Sequence, residues 1–281
     1  MVKLAISLGM LNPSMWVPVT EEADRLGFES VWLPEHLVIP VQMDGSPYAG
    51  QDHPPIPPDV QVFDAFTYLA FLAGRTSDIR FCTHVYNIGL RHPFVSARAV
   101  ATLDVVSAGR AMFGIGASWL EAEWEAVGLD FHTRGRRVDE ALDVCCRLWS
   151  ERVIEHHGEF FDFNPVMFEP KPVQQPWPPI HVGGDGPAAL RRAALVGDGW
   201  IPMNHPLDQI PPAVARLAEL RETAGRPGKV EVTIGGSVAS AVDIDRYADA
   251  GVDRLIVRPW PRSKEAIDGI RRFADEVMSK L

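Results

Sequence analysis

Eight short apolar runs, each followed by a stretch with helical spacing, predict an α/β fold of the (β/α)8 TIM-barrel type carrying an insertion. Two further observations agree. The chain has 281 residues, 46% of them hydrophobic, which is enough for one large core at a length common among single α/β barrels. The first run is near-continuously apolar, as a strand covered on both faces should be. A doubly wound sheet is the competing topology, because strand order is not written in a sequence. The dinucleotide fingerprint that would favour it is missing: Gly114-x-Gly116 follows a strand, but Trp119 stands where the third glycine belongs.

The first strand is expected over 2–8 (VKLAISL). It opens a run of 17 uncharged residues, 4–20, that imitates a signal peptide. Asn12, Pro13 and Pro18 interrupt that run and no small-x-small pattern closes it, so a buried strand is the expectation. A helix follows over 13–27 and stops at Gly27, a common C-terminal signal. The second strand is 30–33, and its helix is 64–75 with Asp64 as N-cap. The third pair is strand 79–85 and helix 93–106, where Pro93 opens the helix at no cost in hydrogen bonds. The fourth is strand 111–116 and the amphipathic helix 138–150. Strand 180–184 precedes helix 187–196, and strand 200–202 precedes helix 209–223. Strand 231–235 leads to helix 243–250, ending at Gly251, and strand 254–258 leads to helix 264–278.

Two segments depart from the alternation. Residues 34–63 hold seven prolines and leave the C-terminal end of the second strand, the active face of a barrel, so a lid is expected there. Residues 152–179 hold Gly158, four phenylalanines and six prolines, which read as a hairpin and an extended arm without their own core. The whole of 1–281 is therefore expected to form a single domain.

Charge and cysteine usage exclude several function classes. With 27 basic against 37 acidic side chains the net charge is −10, which repels nucleic acid and anionic membrane surfaces. No other uncharged apolar run approaches a membrane span. Cys82, Cys145 and Cys146 contain no C-x-x-C pair, so neither a disulfide framework nor a structural zinc is expected. Free thiols fit a reducing compartment and a cytoplasmic protein.

The residues that could carry chemistry fall at expected strand ends. Gly183-Gly184-Asp185-Gly186-Pro187 lies between a strand and a helix, where bare backbone and a helix start favour an anion. An ordinary tight turn is the plain alternative, and Asp185 beside a phosphate costs energy unless it turns away or caps the helix. Glu35-His36, after the second strand, could transfer protons at a barrel mouth, or could be a solvated pair. His84 ends the third strand, where a satisfied structural histidine is common, and Asn87 could bond the edge of a heterocycle. Trp119 could wall an aromatic cofactor or simply pack. The nine histidines show no H-x-H or H-E-x-x-H spacing. His36, His84 and His181 could supply ligands to a metal-dependent barrel hydrolase, but no metal site is predicted. There is no G-x-S-x-G elbow, and Cys82 is expected to pack rather than react.

Taken together, several stretches resemble the luciferase-like monooxygenase superfamily, and within it the coenzyme F420-dependent oxidoreductase branch. They are Ser30-Val31-Trp32-Leu33-Pro34-Glu35-His36, Leu90-Arg91-His92-Pro93, residues 101–110 (ATLDVVSAGR), Phe113-Gly114-Ile115-Gly116-Ala117-Ser118-Trp119, the 183–187 turn and Gly197-Asp198-Gly199-Trp200. The resemblance implies a barrel with an insertion and a cofactor ring at the C-terminal mouth. It implies that Glu35 and His36 are the acid–histidine pair near the reactive face. His84-Val85 matches a bulge with a non-prolyl cis peptide behind the ring, Asn87 and Ser118 match ring contacts, and Gly183, Gly184, Asp185 and Gly186 match the phosphate loop. The implied activity is hydride transfer between F420 and a small organic substrate, with FMN and a monooxygenase reaction as the alternative. Trp119 stands where some F420-dependent dehydrogenases carry glutamate, so no proton transfer from that position and no sugar-phosphate oxidation is expected. Arg134, Arg136 and Arg137 could reach a cofactor phosphate or pair with Asp139 and Glu140, and are left out of the site. A homodimer using the proline-rich arm fits the family's habit. A flavin- or F420-binding protein without turnover is the non-enzymatic alternative.

Overall fold

Each apolar run can pair in parallel because the helix behind it returns the chain to the same end. The fold is described from a computed structural model, and the described residues are 1–9, 11–48, 50, 51 and 55–281. Residues 10, 49 and 52–54, His53 and Pro54 of the proline-rich stretch among them, lie outside the described residues. In chain order the strands are β1 (Lys3–Ser7), β2 (Ser30–Leu33), β3 (Arg80–Thr83), β4 (Tyr86–Asn87), β5 (Ala111–Gly116) and β6 (Ile154–His157). They continue with β7 (Asp162–Val166), β8 (Ile180–Gly183), β9 (Gly199–Ile201), β10 (Glu231–Gly235) and β11 (Arg254–Val257). The helices are α1 (Trp16–Leu26), α2 (Ala65–Ala73), α3 (Pro93–Val106), α4 (Glu121–Ala126) and α5 (Arg134–Ser150). The remaining four are α6 (Pro187–Leu195), α7 (Ile210–Thr223), α8 (Ala241–Asp249) and α9 (Ala266–Glu276).

The eight long-range strands run β3-β2-β1-β11-β10-β9-β8-β5, and β3 pairs with β5 through Phe81↔Ala111 and Cys82↔Met112. All these pairings are parallel, so the sheet closes into the expected (β/α)8 barrel and leaves no free edge.

Two expectations need correction. The third strand is not continuous over 79–85. It breaks after Thr83 at a cis His84–Val85 peptide, and the chain resumes as β4 on the flank of β5, with Tyr86 opposite Ile115. The fourth crossover helix begins at Arg134 rather than 138, and the six-residue α4 precedes it. A six-residue helix spans less than two turns, too few to display a period. The 152–179 insertion forms the expected hairpin, with β6 antiparallel to β7, and in keeping with the lack of a core of its own it buries Phe161 and Phe168 in the main one.

Inward-facing side chains fill the barrel in layers. At the N-terminal end Arg254, fully buried, donates to both oxygens of Glu29 at 2.8 and 2.9 Å and to Thr233 Oγ1 at 3.1 Å. It also lies 3.2 Å from Glu231, which pairs with Lys3. Taking an ion out of water costs several kcal/mol, about what a bidentate carboxylate and further polar contacts return, so this end is a sealed plug rather than a gain in stability. The middle layer is apolar: Ala5, Trp32, Cys82, Met112, Ile201 and Ile256. One step further along the strands the inward positions are Ser7, Gly116, Gly183 and Gly235, and the barrel opens because those positions hold almost no side chain.

Candidate active site

Glycine makes the floor of the mouth possible. A Cβ on Gly114 would lie 1.8 Å from the Thr83 carbonyl oxygen, and one on Gly116 would lie 2.6 Å from Val85 Cγ2. The cis peptide therefore settles against bare backbone. Val85 lies across Gly116 and Gly183 and packs on the apolar middle layer. His84 is held by its N–H, which donates to the Leu33 carbonyl at 2.7 Å, and its ring meets Trp32 edge-on at 5.5 Å. Burial pushes the His84 pKa down to about 4, so the ring is neutral at ordinary pH. His181 flanks the other side of Trp32 at 5.5 Å, and its pKa is also pushed well down by burial. Its Nδ1 has no hydrogen-bond partner among the described residues.

Glu35 and His36 leave β2 side by side and part at once. Glu35 is buried and ion-paired with Arg91, and its Oε2 accepts the Asn87 N–H at 3.1 Å. The Arg91 guanidinium in turn sits 4.3 Å from the Tyr86 ring centroid. Burial pushes the Glu35 carboxyl up, against the pull of Arg91 and the Asn87 N–H. The Glu35 carboxylate therefore clamps β4 beside the mouth.

His36 turns toward a residue that the sequence did not single out. Its Nδ1 lies 3.0 Å from Oε2 of Glu123, on α4. Glu123 is fully buried, and it also accepts from Leu37 N–H at 2.6 Å, from Val38 N–H at 3.4 Å and from Asn87 Nδ2 at 3.2 Å. The Asn87 amide nitrogen is thus committed to Glu123. Trp119 meets the His36 ring edge-on at 6.2 Å. It is presented by Ser118, which holds a left-handed φ of +67° and accepts the Leu120 N–H on its Oγ at 3.2 Å. A non-glycine residue in that conformation costs of order 1–3 kcal/mol and often marks a functional turn. In the sequence Glu123 was one acid in a Glu-rich run with no visible helix, so only its position in space distinguishes it.

The glycine turn brings Gly183, Gly184, Asp185 and Gly186 to the opposite rim. Gly184, at φ +124°, donates its N–H to the Ile201 carbonyl at 3.1 Å and accepts from Trp200 Nε1 at 2.8 Å. Its amide is spent on the fold, and the amides of Asp185 and Gly186 have no acceptor among the described residues. Asp185 turns away: its carboxylate accepts from Met203 N–H at 2.8 Å, Asn204 Nδ2 at 2.8 Å and His205 Nδ1 at 2.9 Å. Burial raises its pKa, but these donors outweigh burial and hold it below the usual carboxylate range. Asn204 Nδ2 also reaches the Pro47 carbonyl at 2.8 Å, tying the proline-rich stretch to this rim. Added Cβ atoms on Gly186 and Gly235 would meet nothing within 4 Å.

Other candidates are absorbed by structure. Arg136 pairs with exposed Glu159, Arg137 donates to the Gly89 carbonyl, and Asp139 pairs with Arg192. Cys82 is fully buried and burial pushes its thiol up, so it is inert as a nucleophile. Among the described residues no three His, Cys, Asp or Glu side chains converge as metal ligands, and no helix is long and apolar enough to cross a membrane. A groove of about 380 Å³ lies at the opposite end of the barrel, where Arg221 spends its donors on the Ala194, Gly197 and Pro227 carbonyls.

Comparison with known proteins agrees with the barrel fold. Residues 12–276 match the family model described as luciferase-like monooxygenase. An uncharacterised protein of Mycobacterium tuberculosis is 28% identical over 291 residues, covering all of both chains. An F420-dependent secondary alcohol dehydrogenase, solved in complex with an F420–acetone adduct, superposes with a TM-score of 0.79. It has 18% identity and the match covers 99% of this chain and 98% of that one. The oxygenating constituent of a Pseudomonas putida diketocamphane monooxygenase, in complex with FMN, superposes with a TM-score of 0.67 at 19% identity. That match covers 85% of this chain and 68% of the other. At these identities the structural matches establish the fold alone.

Proposed function

This chain belongs to the luciferase-like monooxygenase family, and from that premise we propose that it is an F420-dependent oxidoreductase acting on a small organic alcohol or carbonyl compound. The observation that carries the reading is the barrel mouth. A half-buried imidazole, His36, stands on one rim, backbone amides of Asp185 and Gly186 without an acceptor among the described residues stand on the other, and a side-chain-poor floor lies between. A flat ring with an anionic tail fits these residues. Gly116 and Gly183 carry nothing above Val85, and the Asp185 carboxylate is directed at its own donors rather than at the amides.

Bound there, a deazaflavin supplies a two-electron hydride carrier. The chain's part is placement and proton handling. Val85 would back the ring, the Asp185 and Gly186 amides would hold the phosphate, and Asn87, Ser118 and Trp119 would border the ring. His36 would hold and exchange a proton at the substrate oxygen. Glu35 acts through Asn87 and Arg91 to keep that border in place. Asn204 ties Pro47, in the proline-rich segment after β2, to the rim, where its described part would limit water. The three free, buried cysteines suit a reducing, cytoplasmic setting.

FMN with a monooxygenase reaction is the second reading, supported by the likeness to the FMN complex. Separate fluorescence titrations with F420 and FMN test the choice. Saturable quenching of F420 is expected. Binding of FMN alone would select the second reading, and binding of neither would remove both. With reduced F420 and a panel of small ketones and aldehydes, His36→Ala is expected to keep cofactor affinity and lose roughly 10²- to 10⁴-fold in turnover.

A further inference from the structure

We propose that Glu123 is a positioning residue that sets the tautomer of His36, keeping its proton on Nδ1 and turning the lone pair of Nε2 to the barrel mouth. The proposal rests on the reading that His36 exchanges a proton there. A buried carboxylate needs donors, and an ionised one can only accept. Two of the groups around Glu123 are donors without choice, Leu37 N–H and Val38 N–H, and Asn87 Nδ2 adds a third donor. Leu37 and Val38 occupy Oε1, and Asn87 shares Oε2 with His36. With Oε2 accepting, the 3.0 Å contact to His36 Nδ1 requires the proton on the imidazole.

The remaining neighbours remove the ring's other options. Trp119 meets the ring edge-on and limits its rotation. Leu37, the next residue, is pinned to the same carboxylate, so chain and side chain are fixed by one group. Asn87 is held from behind by Glu35, which Arg91 neutralises. Among the described residues the charged group paired with the histidine is Glu123, with Glu35 and Arg91 behind Asn87. In the neutral ring Nε2 accepts a proton from a substrate hydroxyl. In the imidazolium the proton on Nε2 returns to a carbonyl oxygen, and the adjacent carboxylate balances the charge.

Glu123→Gln separates this from a merely structural role. The glutamine oxygen keeps the Leu37 N–H, so its NH2 replaces Oε2 and donates to His36 Nδ1, which forces the ring proton to Nε2. Two-bond 1H–15N correlation spectra of the full-length protein without cofactor read the tautomer directly. The Nδ1–H form is expected in the native protein and in Glu123→Asp, and the Nε2–H form in Glu123→Gln. Circular dichroism checks that each variant folds, and the native spectrum alone tests the proposal if a variant does not. An Nε2–H imidazole in the native protein, or an unchanged tautomer in a folded Glu123→Gln, overturns the assignment. If the tautomers behave as expected while neither F420 nor FMN binds, the functional reading falls and the role of Glu123 stands.

Discussion

Gly114 shows how much a single position decides. Its missing side chain leaves room for the Thr83 carbonyl, which a Cβ would approach to 1.8 Å, and Thr83 Oγ1 in turn donates to the Gly114 carbonyl at 2.6 Å. The obstacle is backbone, which cannot rotate aside. Gly114→Ala is therefore expected to destabilise the protein by about 3 kcal/mol, at the upper end of what overpacking costs, measured by urea unfolding. A glycine of the exposed rim, Gly186, would accept the same methyl with little change in stability. Residue identities of this kind were partly legible. The glycines at 183–186 and the Glu35-His36 pair were visible as motifs, since their chemistry is local. What each carboxylate would bond was not. Glu35 is claimed by Arg91, 56 positions away, and His36 by Glu123, 87 positions away.

At the scale of elements, helical spacing and turn residues located most strands and crossover helices because these patterns repeat within a few residues. The exceptions were elements with no period of their own. β4 has two residues and exists because the chain has been redirected at His84–Val85, and α4 is too short to show an apolar face. The hairpin β6–β7 was legible from its aromatic and glycine pattern, but its attachment was not. Glu140 on α5 accepts from Phe160 N–H at 3.0 Å, Phe161 N–H at 2.8 Å and His156 Nε2 at 3.1 Å. Removing it leaves partly buried donors unpaired, which costs about 1–3 kcal/mol. Glu140→Ala is expected to speed amide hydrogen exchange across residues 154–166 while leaving β1 and β11 protected. Equal loss of protection in the barrel strands would show that the hairpin is integral to the core.

For the whole molecule, the decisive event is closure of β3 on β5, which brings ends of strands far apart in sequence around one opening. A ligand held by several of those ends binds the folded state alone and must stabilise it. At F420 concentrations one hundred times the dissociation constant, the gain should be about 2.7 kcal/mol in denaturant unfolding. No gain at saturation would mean that binding involves too little of the barrel to be linked to folding. The sequence by itself determined the alternation of strand and helix, the glycine rim and the family, because periodicity, backbone freedom and short motifs are properties of neighbouring residues. The tertiary structure alone decided which way Glu35 and Asp185 face, that Glu123 meets His36, and that the Gly184 amide is spent on the Ile201 carbonyl. Buried polar groups take whatever partner closure brings within hydrogen-bond reach, and that partner is set by the path of the chain rather than by its spelling.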